Sequence, residues 1–121
     1  MNVRRLLSRL FGGRTGEPDW IDAVELQRRR AGGDVLLVDV RQPEEFSAPP
    51  GHLPGAINLP LGDLANRTAE IAAHRQPVVL VCQTDRRSAR AAAALIAAGL
   101  SDVAVLRGGT DGWHRQGLPL E

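Results

Sequence analysis

The 121-residue chain sets 15 basic against 14 acidic side chains, for a net charge of +1, and its 43% hydrophobic content is ordinary for a soluble globular protein. That length suits one compact domain with its own core. One cysteine excludes an intrachain disulfide, so a reducing, cytoplasmic setting is the default, and no stretch approaches the roughly 18 apolar residues of a membrane-spanning helix. Every basic side chain other than histidine is arginine. The arginines form no single stripe and aromatics are 3% of the chain, which argues against a nucleic-acid partner.

The first eleven residues place Val3, Leu6, Leu7 and Leu10 on one helical face, with Arg4, Arg5 and Arg9 off it. Residues 1–16 hold no acid, leaving the remainder net acidic by about three. This is a basic amphipathic segment followed by a Gly12-Gly13 break and a polar linker to Pro18. It lacks the apolar core and cleavage site of a secretory signal. Weak contact with a membrane surface, docking on a protein, and a frayed end all remain open for residues 1–16. The reading therefore divides the chain into an N-terminal segment and linker, 1–18, and a folded domain, 19–121.

Within the domain, Asp22 and Glu25 form a capping-box pattern, and the helix they open should stop at Gly32-Gly33. Val35 to Val40 is a continuous apolar run typical of a strand covered on both faces. Pro43 to Phe46 suits one helical turn, Ala56 to Leu59 a short strand, and Asp63 to Ala73 a helix with Leu64, Ile71 and Ala72 inward. Val78 to Val81 is another buried strand. Cys82 to Arg87 follows as a loop, and Ser88 opens an alanine-rich helix that Gly99 ends. Val103 to Leu106 is the last strand, and Gly108-Gly109 turns the chain into a short helix around Trp113. Strands alternating with helices at this spacing give an α/β fold, a parallel sheet with helices on both faces. Ligand sites in such sheets lie beyond the carboxyl ends of the strands, where Asp39, Arg41, Cys82 and Arg107 fall.

Cys82 ends a hydrophobic strand and precedes a helix. A thiol there faces loop N–H groups and the positive end of a helix dipole, which favour the reactive thiolate and would hold an anionic group on the sulfur. No histidine lies at metal-ligand spacing from another or from Cys82. The protein has no second cysteine, so an outside thiol must discharge any sulfur loaded on the first.

Four segments, in order, resemble the rhodanese-like family of single-domain sulfurtransferases: Asp39-Val-Arg41 with Glu45-Phe46; Gly51-His-Leu-Pro-Gly-Ala-Ile-Asn-Leu-Pro60; Cys82-Gln-Thr-Asp-Arg-Arg-Ser88; and Gly108-Gly109, Trp113 and Gly117-Leu-Pro119. The resemblance covers roughly residues 19–120. It implies a three-layer α/β/α fold with a five-stranded parallel sheet in the order 3-2-4-5-1. It also implies a Cys82 persulfide, cradled by Gln83, Thr84, Asp85, Arg86, Arg87 and Ser88. The reaction it implies moves sulfane sulfur from thiosulfate, a polysulfide or a persulfide to a thiol or cyanide, with no metal or organic cofactor. Phosphatases and arsenate reductases on this fold have one more residue between cysteine and arginine. The four here suit a single sulfur better than a tetrahedral oxyanion. A carrier or docking module of low turnover is the other reading.

Asp85 stands where many members have glycine. It is expected to cap the following helix, with its charge as a possible brake on the thiolate as the alternative. Gln83 and Thr84 are neutral where strong thiosulfate users often carry a base. Of Arg86 and Arg87, one is expected to meet an anionic donor and the other to pair with a carboxylate. Asp39, Arg41, Glu45, His52 and Trp113 read as support. Arg41 is expected to pair with Glu44 or Glu45, Asp39 to hold backbone N–H groups, His52 to fix a turn, and Trp113 to form a core lid near the loop.

Overall fold

The structure is a computed structural model that describes residues 16–121. The amphipathic face read over residues 1–11 and the Gly12-Gly13 break lie outside the described residues.

Five strands form one parallel sheet: β1 (Asp19–Ile21), β2 (Leu36–Asp39), β3 (Ile57–Asn58), β4 (Val78–Val81) and β5 (Val103–Leu106). Their spatial order is β1-β5-β4-β2-β3, which is the expected 3-2-4-5-1 read from the opposite edge. All pairings are parallel. The three central strands, β2, β4 and β5, are buried at every residue. Their apolar runs, broken only by Asp39 at the end of β2, reflect this, because helices cover both faces.

Alternation along the strands sorts the side chains into two cores. Val38 of β2, Val78 and Leu80 of β4, and Val103 and Val105 of β5 pack with Leu64, Ile71, Ala91, Ala92 and Leu95 on one face. Leu37, Val79, Val81, Ala104 and Leu106 pack with Ile21, Ala23, Leu26, Leu53 and Trp113 on the other. Cys82 continues the parity of Val78 and Leu80 and joins the first core. A shift of one residue would have turned the thiol to the opposite face.

Among the described residues there are five α-helices, four between strands and the last after β5: α1 (Ala23–Arg30), α2 (Pro43–Ser47), α3 (Thr68–Ala73), α4 (Arg86–Ala97) and α5 (Gly109–Arg115). Asp22 caps α1, its carboxylate accepting the Glu25 N–H at 2.8 Å. The reciprocal half of the box is replaced, since Glu25 pairs with Arg28 and Arg29. The helix ends at Arg30, two residues before Gly32.

The helix expected over Asp63–Ala73 is broken in two. A 3-10 helix spans Leu61–Asn66, and α3 begins only at Thr68, after Arg67 departs from helical angles. Residues three apart eclipse in a 3-10 helix, so Leu61 and Leu64 both reach the core. Leu64 and Ile71 point inward as expected, whereas Ala72 is exposed. Helix α4 starts at Arg86, two residues earlier than Ser88, which shortens the loop after β4. Its end is as expected: Gly99 has φ +103°, and the Leu100 N–H returns to the Leu95 carbonyl at 3.0 Å.

The first turn of α5 docks directly on the loop after β4. The Thr110 and Asp111 N–H groups donate to the Cys82 and Gln83 carbonyls at 2.9 and 3.0 Å. Gly109 makes this approach possible. Its φ is +58°, and a Cβ there would lie 2.0 Å from the Thr84 carbonyl oxygen and 2.3 Å from that of Cys82. Gly109→Ala is therefore expected to destabilise the protein by about 2–4 kcal/mol. Gly62→Ala, where a Cβ would meet nothing within 4 Å, should stay within about 0.5 kcal/mol of wild type. Urea unfolding of the two variants checks the contrast.

Candidate active site

The side chain of Cys82 lies at the carboxyl end of the central strand β4 and is 1% exposed. Its Sγ is 3.3 Å from the Ser88 Oγ and accepts the Ser88 N–H at 3.4 Å. Ser88 is fully buried on the first turns of α4. The sulfur thus sits against the amino-terminal end of a twelve-residue helix, where the dipole favours negative charge.

Peptide orientation in the loop follows from the contact with α5. The carbonyls of Cys82, Gln83 and Thr84 converge on Gly109. In a trans peptide the following N–H points the opposite way. The N–H groups of Gln83, Thr84 and Asp85 therefore face away from α5, toward the concave side of the loop. Among the described residues no protein acceptor takes the N–H groups of Gln83 to Arg87. Successive free amides on a concave loop form an anion-holding nest.

Arg87 and Glu45 make a two-pronged ion pair, with Nη1 and Nη2 donating to Oε1 and Oε2 at 2.7 and 2.9 Å. This is the carboxylate partner expected for one loop arginine. It also gives Glu45 its role, since α2 carries Glu45 and the pair ties that helix to the Cys82 loop. Glu45 Oε1 accepts the Gln42 N–H as well, at 3.1 Å, which helps to orient the carboxylate toward Arg87. Arg86 is exposed and has no carboxylate partner among the described residues, so it is free to meet an anion.

Arg41 does not pair with Glu44 or Glu45. Its guanidinium is buried and grips Asp39 at 2.9 to 3.1 Å, and it donates to the Gly51 carbonyl at 3.1 Å. The Asp39 carboxylate is fully buried at the end of β2 and is the nearer partner; Glu45 is taken by Arg87. Asp39 also accepts the Arg41 N–H, as expected for a strand-end acid. Asn58 closes this corner, its side-chain amide donating to the Asp39 and Arg41 carbonyls at 3.0 and 2.9 Å. In the sequence Asn58 was legible as part of a strand and of the Gly51–Pro60 segment, with no role of its own.

Asp85 does not cap α4. Its Oδ2 accepts the Gly108 N–H at 3.0 Å, because α5 brings a competing donor within reach. His52 fixes a turn as expected: its Nδ1–H donates to the Phe46 carbonyl at 2.8 Å, and its ring stacks on Phe46. Its backbone exchanges two hydrogen bonds with Glu121. Trp113 is fully buried, but in the core opposite Cys82, with Nε1–H donating to the Pro119 carbonyl at 2.7 Å. It anchors α5 from below and is not a lid on the loop. Gln83 and Thr84 are exposed at the mouth.

Among the described residues no three His, Cys, Asp or Glu side chains are placed to hold a metal, and no helix is long and apolar enough to cross a membrane. A concavity of about 340 Å³ lined by Ile71, Arg75, Ala98 and Asp102 lies near the amino ends of β4 and β5. It is at the opposite end of the sheet from Cys82.

The Arg87 pair holds the Glu45 carboxyl down to about 2, from 4.5. The hydrogen bonds from Arg87 are the main cause. A depressed acid contributes stability that is present above its unfolded value and is lost as pH falls through its folded value. The shift sets a ceiling of about 3 kcal/mol, and solvent screening of a pair one-third exposed reduces it to about 1–2 kcal/mol. Glu45→Gln should lose that amount at pH 7. Its deficit should shrink between pH 4.5 and 2, measured by urea unfolding at a series of pH values.

The family model described as Rhodanese-like domain matches residues 22–116. A sulfurtransferase of Allochromatium vinosum is 42% identical over 101 residues, covering 83% of this chain and 92% of that protein. An HTH-type transcriptional regulator of Mycobacterium tuberculosis is 51% identical over 69 residues, 56% of this chain, and the match spans only 29% of the regulator. Among solved structures, a Rhodopseudomonas palustris protein of unknown function, described as a possible tyrosine phosphatase, superposes with a TM-score of 0.79. That match covers 100% of this chain and 95% of the other, and at 24% identity it speaks for the fold alone. The matched span takes in β2 to α5, the Cys82 loop and its Arg87–Glu45 tie, and on that ground the chain belongs to the rhodanese-like domain family.

Proposed function

We propose that the protein is a sulfurtransferase that works through a persulfide on Cys82. One observation carries the reading: the carbonyls of residues 82–84 turn outward onto Gly109, which leaves consecutive amides facing the sulfur's side of the loop. The sulfurtransferase of A. vinosum, matched over most of both chains, supports the same reading.

The Cys82 thiolate attacks the outer sulfur of a sulfane donor. A new S–S bond forms as the donor's own bond breaks, and the electron pair leaves on sulfite or on a thiolate. The loop amides steady the terminal sulfur of the resulting persulfide, and the Ser88 hydroxyl, 3.3 Å from Sγ, steadies the inner sulfur that leaves as the Cys82 thiolate. A thiolate or cyanide then attacks that sulfur, and the electron pair returns to Cys82. Bond making and breaking are both between sulfur atoms or sulfur and carbon, so no metal or organic cofactor takes part. Arg86 is the loop cation left to attract an anionic donor, since Arg87 is neutralised by Glu45. With neutral Gln83 and Thr84 at the mouth, an organic persulfide or polysulfide is a better donor than thiosulfate. The four residues between Cys82 and Arg87 make a ring that suits one sulfur, against the phosphatase alternative.

Mass spectrometry after donor treatment tests this. One added sulfur, about 32 Da, should appear on wild type, leave on addition of thiol or cyanide, and be absent from Cys82→Ser. Ser88→Ala should retain loading but lower the transfer rate by about 10-fold, the order of one lost charge-stabilising donor. Hydrolysis of a phosphate ester by Cys82 without sulfur uptake would overturn the proposal. Loading without multiple turnover would leave a sulfur carrier in place of an enzyme.

A further inference from the structure

Strand register places two side chains beside the sulfur that the reaction so far leaves unused. Cys82 continues the sheet face of Val78 and Leu80, and on β5 that face holds Val103 and Val105. Arg107 stands two residues past Val105. Its N–H still donates to the Ile21 carbonyl at 2.9 Å, so the alternation of the strand reaches it. Leu80 pairs with Val105, and Val105 with Trp20. Cys82, Arg107 and Trp20 therefore share one face of the sheet near its carboxyl end, on three adjacent strands. The opposite face carries the core in which Trp113 seats α5. The Arg107 guanidinium lies 4.9 Å from the centre of the Trp20 ring, which ties the two side chains together. Trp20 is 41% exposed, and Arg107 is exposed as well. Among the described residues Arg107 has no carboxylate partner. The acids nearby are otherwise placed. Asp19 falls on the other face with Ala104, and Asp22 accepts the Glu25 N–H. Asp85 accepts the Gly108 N–H, which anchors the Cys82 loop one residue from Arg107.

We infer that Arg107, held on Trp20, binds the carboxylate of a peptide thiol, so that a cysteinyl peptide with a free carboxyl end is a preferred sulfur acceptor. The inference rests on the persulfide reading above and names the acceptor of its second half. Neighbouring strands lie about 4.8 Å apart, so Arg107 stands one strand from Cys82 and Trp20 two, which puts the guanidinium on the order of 10 Å from the sulfur. An extended peptide covers about 3.4 Å per residue, so a cysteine followed by two residues spans that distance. A thiol whose carboxylate sits one carbon from its sulfur does not. The ring orients the Arg107 cation and leaves its charge uncompensated, and a guanidinium fork matches a carboxylate in geometry and charge. Arg86, exposed on the same loop, offsets the charge of the neighbouring Asp85. In the step itself the peptide thiolate attacks the outer sulfur of the Cys82 persulfide. The Cys82 S–S bond breaks with its electrons on Cys82, and the peptide leaves as a persulfide bearing the outer sulfur and its proton. Arg107 touches no reacting atom; it binds the far end of the acceptor.

The test loads the protein with polysulfide, removes the excess, and measures single-turnover discharge by two pairs of thiols. One pair is N-acetyl-Cys-Gly-Gly with a free carboxylate and the same peptide with a terminal amide. The other is mercaptoacetate and its amide, in which the carboxylate is too close to the sulfur to reach Arg107. Comparing each acid-to-amide rate ratio across variants cancels intrinsic nucleophilicity. In Arg107→Gln the peptide ratio should fall about 5-fold, the upper range for one exposed ion pair. Trp20→Leu removes the ring and keeps the charge, and should lower the peptide ratio about 2-fold. The mercaptoacetate ratio should move by less than about 2-fold in either variant, since salt screens a charge that is not in contact. The wild-type peptide ratio should fall as salt rises from about 0.05 to about 0.5 M, a measurement that needs no variant. A peptide ratio unchanged in Arg107→Gln, a mercaptoacetate ratio that falls as far as the peptide's, or a salt-independent wild-type ratio would overturn the inference while leaving the persulfide reading intact. A wild type that takes up no sulfur overturns both.

Discussion

The contact between Gly109 and the three carbonyls after β4 is the constraint on which the rest of the site depends. A backbone loop can turn its carbonyls or its amides toward a central point, not both. Here α5 receives the carbonyls: two accept its N–H groups, and all three lie against a residue with no Cβ. The amides of Gln83, Thr84 and Asp85 face the other way. Any side chain at position 109 would push the loop away and undo that choice. The site is thus assembled by packing between a strand end and a helix distant in sequence.

Two further ties hold the loop from the other sides. Ser88 fixes the sulfur from within α4, through its N–H and its hydroxyl. Glu45 reaches across from α2 to Arg87. The Asp39–Arg41 pair looks equally suited to a site, since both lie at a strand end, but its atoms are spent on each other, on Gly51 and on Asn58. A buried acid and base in mutual contact support the corner between β2 and β3. The family match over residues 22–116 takes in this corner, the Cys82 loop and the ties that hold it.

Sequence reading and structure agree best where a residue's environment is local or repetitive. Buried runs such as Val78 to Val81 announce central strands because both faces are covered. Asp22 and Gly99 mark helix ends through their own backbone chemistry. Among the side-chain pairings, the readings that failed are those in which two partners compete. Arg41 had acids on either side and took Asp39; Asp85 had its own helix to cap and took Gly108 instead. β1, three residues long at the sheet edge, carries too short a pattern to be read from periodicity; only the family resemblance implied a fifth strand. Trp113 was rightly placed in a core, but the face was not legible, because that depends on how α5 crosses the sheet.

The sequence by itself determined the parallel α/β fold, the place of Cys82 at a strand end, and the presence of a helix soon after it. These rest on hydrophobic periodicity and on residues that punctuate the chain, which act over a few neighbours. Only the tertiary structure decided which way the loop peptides face, that Glu45 is the partner of Arg87, and that Asp85 turns to Gly108. Each of those depends on groups tens of residues apart competing for one hydrogen-bonding or steric vacancy, and such competition is settled by geometry that no local pattern encodes.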